Sequence, residues 1–176
     1  MSSDQPFRNA VLDNLTFCRT RLLAGVTELT TADLDFQPVP TIMSPREQIV
    51  HVVWAEQHWR AACTNEERPG GQWGNQPEWS LDQLVAALAE QRERTLAYCA
   101  TLADADLLRP VQDTRGNTLS VLWVLHHLAR HDAHHAGQII ALWRQCHEHE
   151  TMPSGYPRIL EAMLTKGAGG GTIEPS

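Results

Sequence analysis

Histidine is the residue type that stands out in this chain: nine are present, and five of them (His126, His127, His131, His134 and His135) fall between positions 126 and 135. On a helix, Val121, Val124, Leu128, Ile139, Leu142 and Cys146 share one side, and His131 and His135 fall in the middle of that stripe. Spaced four apart, the two imidazoles project from one face with about 6 Å of rise between them. A neutral imidazole carries one donor and one acceptor, and burial without partners costs on the order of 1–3 kcal/mol per group. A lone core histidine meets that need with hydrogen bonds. A stacked pair in an aliphatic stripe meets it more directly by coordinating a metal ion. His127 and His134 lie at the border of the stripe, and His126 lies on the opposite side with Ala129, Ala133 and Gly137.

Two ligands do not complete a site, so a third must come from another helix. His51, inside the apolar run Ile49–Val53, is the first candidate, and His58, on the same face seven residues on, is a weaker one that lines the mouth of a pocket. Ala55 and Ala62 leave room for a ligand or for close helix packing. Three histidines leave a coordination position open, the pattern of catalytic rather than structural sites. Imidazole suits Zn²⁺, Ni²⁺, Fe²⁺ and Mn²⁺, and the spacing does not choose among them. An open position can acidify a bound water or capture a thiol as its thiolate.

The elements that must hold these residues are four helices. The periodicity predicts them over about Pro6–Val26, from a Ser44-Pro45-Arg46-Glu47 capping box to about Cys63, from Ser80 (with Gln83 as box partner) to about Leu102, and over about Leu119–His147. No strand is expected beyond short extended pieces in the loops. The predicted fold is all-α, an antiparallel four-helix bundle with long loops, in a single domain over residues 1–166. A short helix is expected at Arg158–Thr165, and a Gly-rich, disordered tail over 167–176. Trp73 and Trp79 flank the Gly- and Pro-rich loop 65–78 as candidate lid residues. Ala129, Ala133, Gly137 and Ile140 form a small-residue strip suited to close packing, while Arg130 and Arg144 read as solvated.

Composition sets the outer bounds. With 42% hydrophobic and 20% charged residues over 176 positions, the chain is long enough for one well-formed core. A net charge of −7 argues against a nucleic-acid partner, which needs clustered Lys and Arg. No apolar run approaches a membrane span and the first residues lack signal-peptide character, so no membrane partner and a cytoplasmic location are expected. Cys18, Cys63, Cys99 and Cys146 are widely separated and read as four buried thiols.

The stretch His131–Ile139 (HDAHHAGQI), preceded by Trp123–Arg130 (WVLHHLAR), resembles the fourth-helix signature of the DinB/YfiT-like metalloprotein superfamily, a damage-inducible bundle family. His51–Trp59 (HVVWAEQHW) resembles its helix-two motif, and the resemblance spans roughly residues 8–146. It implies His51, His131 and His135 as metal ligands, a homodimer, and chemistry on a small-molecule substrate. In several members that chemistry uses a low-molecular-weight thiol, as in bacillithiol- or mycothiol-dependent S-transferases and a maleylpyruvate isomerase. The first functional expectation is therefore a divalent-metal-dependent thiol transferase with a thiol co-substrate. The alternative is a stress-response protein that binds metal or ligand without turnover. A zincin-like hydrolase is a third, weaker expectation, because Asp132 stands where H-E-x-x-H carries its general-base Glu.

Overall fold

The computed structural model describes residues 5–64, 66–70 and 79–147. Four long helices, α1 (Pro6–Val26), α2 (Pro45–Thr64), α3 (Leu81–Ala100) and α4 (Val121–Cys146), account for most of them. Their starts follow the local sequence chemistry. Pro6 occupies the first turn of α1, where its missing N–H costs nothing. Ser44 accepts from the Glu47 N–H at 3.3 Å while Glu47 accepts from the Ser44 N–H at 2.8 Å, and Ser80 and Gln83 repeat the same reciprocal cap for α3.

α4 starts at Val121, two residues later than the periodicity suggests. Thr118–Ser120 (β2) pairs antiparallel with Pro110–Gln112 (β1), with Val111 opposite Leu119, so these residues are extended until Ser120 caps the Trp123 N–H at 3.1 Å. The connecting turn needs Gly116, whose φ of 81° lies in the left-handed region. Asp113 closes the turn by accepting the Arg115 and Asn117 N–H groups, each at 2.8 Å.

α1 packs on α3 and α4, and α2 packs on the same two helices. α1 runs antiparallel to α3, since Arg8 reaches Ala100 and Arg92 reaches Leu15. α2 runs antiparallel to α4, since Gln48 meets His135 and His51 meets His131. The other two packed pairs share a direction. Arg19 and Gly25 face Asp132 and Ile140 across α1 and α4, and Glu56 and Cys63 face Arg92 and Tyr98 across α2 and α3. The fully antiparallel order expected from the sequence thus gives way to one in which α2 and α3 run the same way. Residues 65–80 make this possible: that length of chain can span the roughly 30 Å of a 20-residue helix.

Two apolar clusters fill the interior. One gathers Val11, Leu15, Cys99, Val124 and Leu128, and the other gathers Leu22, Ile49, Val53, Leu84, Leu88 and Ile139. At the sequence positions between them each helix contributes one member of a buried ionic layer, Arg19, Glu56, Arg92 and Asp132, all below 5% exposure. Asp132 accepts from Arg19 Nε at 2.9 Å and from Arg92 Nη2 at 2.8 Å, and Glu56 pairs with Arg19 at 2.5 Å. Arg92 Nε lies 3.0 Å from Glu56 Oε1 without an aligned N–H, so that contact is Coulombic rather than a directed hydrogen bond. Burial opposes the charge on Arg19, but Glu56 and Asp132 outweigh it and raise the Arg19 pKa.

The small-residue strip of α4 is only partly packed within the chain, since Gly137 is exposed and a Cβ there would meet nothing within 4 Å. Ala129 and Ile140 are buried, and a Cβ at Gly25 of α1 would stand 3.5 Å from Ile140 Cγ1. Arg130 and Arg144 are exposed, whereas Cys146, expected to be buried with the other thiols, is exposed at the end of α4. No helix of the described residues is long and apolar enough to cross a membrane. The expected helix at Arg158–Thr165, the 167–176 tail and Trp73 lie outside the described residues. Trp79 packs against the second apolar cluster.

Candidate metal centre

α2 and α4 cross so that His51 comes to His131 and His135 from the opposite wall. The Nε2 atoms of His51 and His131 are 3.0 Å apart, and one donor nitrogen from each of the three rings lies within 4.8 Å of the others. Ring centroids are separated by 4.8 Å (His51–His131), 5.2 Å (His51–His135) and 4.5 Å (His131–His135). The four-residue spacing on α4 stacks its two rings, as the helical wheel requires.

Gln48, three residues before His51 on α2, orients the site. Its side-chain oxygen lies 3.1 Å from His135 Nδ1, and its amide nitrogen donates to the Met43 carbonyl at 3.0 Å, which fixes which way the amide points. An amide oxygen only accepts, so His135 Nδ1 carries the proton and Nε2 keeps its lone pair as the ring's free donor. The sequence reading missed Gln48, although its i, i+3 spacing to His51 puts both on one face of α2.

Burial keeps the trio neutral. Desolvation, then the neighbouring imidazoles, push His131 down to about 3 and His135 to about 4, and desolvation lowers His51. Three neutral nitrogen donors with lone pairs available near pH 7 fit a divalent cation, and this cluster could hold one.

The other histidines separate from this trio. His58 stacks on Trp54 (4.8 Å, 21°) and meets Trp59 edge-on, so it belongs to an aromatic run rather than to the donor set. That run continues through Trp59 and Trp123 to His127, which stacks on Trp123 at 4.9 Å and reaches His131 at 5.6 Å. His134 is exposed beside His135, and His126 lines an apolar hollow of about 500 Å³ with Phe7, Leu108 and Leu122. Asp132, adjacent to His131, turns into the ionic layer, where Arg19 and Arg92 take both its oxygens. The hydrolase expectation therefore lacks its general base.

Comparison with known proteins gives the family and the fold. The family model of the DinB superfamily matches residues 14–139. A DinB-like protein from Bacillus cereus superposes with a TM-score of 0.70 at 20% identity, covering 83% of this chain and 95% of that one. A DinB-like protein from Bacillus subtilis gives 0.64 at 18% identity, with 84% and 96% covered. A conserved protein from Enterococcus faecalis gives 0.62 at 14% identity, with 77% and 94% covered. At these identities the likeness is one of fold. No curated protein matches the chain. The family model covers more than half of the sequence, including all three clustered histidines, and the chain belongs to the DinB superfamily.

Proposed function

We propose that this protein is a divalent-metal-dependent enzyme in which His51, His131 and His135 hold the ion. In this reading it activates a low-molecular-weight thiol for S-transfer to a small electrophilic substrate. The observation that carries it is the convergence of three neutral imidazole nitrogens, one of them oriented by Gln48, with no carboxylate among the described residues closing the set. At such a site a bound divalent ion supplies Lewis acidity, lowering the pKa of a thiol or a water. The chain's own part is to present three lone pairs, hold the His135 tautomer through Gln48 and keep the rings neutral by burial. The chain's own thiols are poor candidates for the nucleophile: burial pushes Cys63 and Cys99 up to about 11 and raises Cys18. Family membership supports the thiol reading, and with it go a homodimer and a cytoplasmic setting.

The test is conjugation of small thiols to model electrophiles, assayed with and without added Zn²⁺, Ni²⁺, Fe²⁺ or Mn²⁺. Metal-dependent product that His131→Ala abolishes is the expected result. Metal binding without conjugation of any thiol would sink the catalytic part. It would favour the second reading, a metal-binding stress protein without turnover. The observation on that side is the aromatic packing of Trp54, His58, Trp59, Trp123 and His127 beside His131.

A further inference from the structure

A second group of metal-ligating side chains stands at the C-terminal end of α4. Asp33, in the short turn Asp33–Asp35 between α1 and α2, meets Cys146 and His147, with one donor atom from each within 4.8 Å of the others. Cys146 and His147 are sequence neighbours, and on a continuing helix their side chains would diverge by about 100°. His147 instead leaves the helix (φ −108°, ψ 59°), and both side chains reach the same carboxylate.

The carboxylate is prepared on its far side. Asp33 is 3% exposed, and its Oδ2 accepts from the Thr30 N–H at 2.7 Å and the Thr30 hydroxyl at 2.8 Å. Oδ1 is left to face His147 Nε2 at 2.8 Å. Among the described residues Asp33 has no ion pair with an arginine, so a buried carboxylate faces only a titratable imidazole and a thiol. Trp143 stacks on the His147 ring (4.5 Å, 13°) and sets its plane. The last carbonyls of a 26-residue helix add partial negative charge at the same place, which favours a cation.

The arrangement does not suit a nucleophilic cysteine. In such a pair the imidazole stands between thiol and acid. Here the carboxylate is the shared partner, and it raises the Cys146 pKa together with desolvation, so the thiol keeps its proton. Three different donors directed at one point are instead the makings of a chelate.

We propose that Asp33, Cys146 and His147 form a second metal site, selective for a borderline cation of the Zn²⁺ class through one thiolate, one imidazole and one carboxylate. Binding replaces two protons: the thiol proton passes to solvent, and the proton that His147 Nε2 gives to Asp33 moves by way of solvent to Nδ1 of the neutral ring, so no group changes oxidation state. Tetrahedral Zn²⁺ places its donors roughly 3.3–3.7 Å apart. Reaching that spacing asks the His147–Asp33 contact to open from 2.8 Å by under 1 Å, and Cys146 Sγ already lies within 4.8 Å of both partners. The exposure of Cys146 leaves a face for a water ligand. Sulfur and nitrogen donors disfavour Mg²⁺ and Ca²⁺. The site ties the end of α4 to the turn before α2 and is independent of the histidine trio.

Co²⁺ titration of the full chain tests this, because thiolate ligation alone gives an intense sulfur-to-cobalt charge-transfer absorption in the near ultraviolet. The wild type should develop that band and saturate it by two equivalents, since the histidine trio takes up the other. Cys146→Ser, which leaves the Asp33–His147 contact in place, and His147→Gln should abolish it. A variant lacking His51, His131 and His135 but folded by circular dichroism should keep it. Absence of the band in the wild type, its persistence in Cys146→Ser, or its loss with the folded triple-histidine variant would overturn the proposal.

Discussion

At the scale of single residues, the site depends on which ring nitrogen is free. Gln48 accepts from His135 Nδ1, so Gln48→Leu removes the partner that fixes the tautomer without touching a donor atom. Metal affinity at the trio should fall about 10- to 100-fold by isothermal titration, and Gln48→Glu, which restores an acceptor, should recover most of it. Unchanged affinity in Gln48→Leu would deny the residue a positioning role. The depressed imidazoles also predict how metal-free protein responds to acid. His131 falls from an ordinary 6.5 to about 3 and His135 to about 4, so between these values the unfolded chain binds more protons than the folded one. Stability is then complete above about pH 6.5 and declines as pH falls toward 4 and 3. Urea midpoints of metal-free wild type should drop across that window, and those of a His131→Phe variant should drop less.

At the scale of elements, the helices were legible because caps and apolar periodicity are local. Ser44–Glu47 and Ser80–Gln83 mark two starts at the residues where the helices begin. What the sequence hid was pairing at a distance. Leu119 continues an apolar helical pattern, but the β1–β2 ladder claims it, and a two-strand contact with Val111 leaves no periodic trace. Nothing local in the sequence marks Arg19, Glu56, Arg92 and Asp132 as buried, because each alone would be costly inside; only together do they neutralise one another. That layer carries its own prediction. Asp132→Ala leaves two buried guanidinium groups sharing the single carboxylate of Glu56 and should destabilise the fold by about 3–5 kcal/mol in chemical denaturation. Replacing Arg19, Glu56, Arg92 and Asp132 together with apolar residues of similar volume should cost far less than that single change. A loss under about 1 kcal/mol for Asp132→Ala would mean water reaches the layer.

At the scale of the whole molecule, the fold brings three histidines, separated by up to 84 positions, to one point because α2 lies against α4. The spacing on α4 made two of them visible, and the apolar neighbours of His51 made the third. Cys146 failed the same logic: it continues the apolar stripe, but the helix ends there and exposes it. The central claim is that this trio is the functional metal site. Elemental analysis tests it most directly, in a Cys146→Ser background so that the trio alone is counted. The background protein should carry about one divalent ion per chain after metal loading and desalting. His51→Ala, His131→Ala and His135→Ala should each lose most of that ion, and His126→Ala, on the opposite face of α4, should keep it. Equal metal content across all four variants, or none in the background protein, would contradict the account.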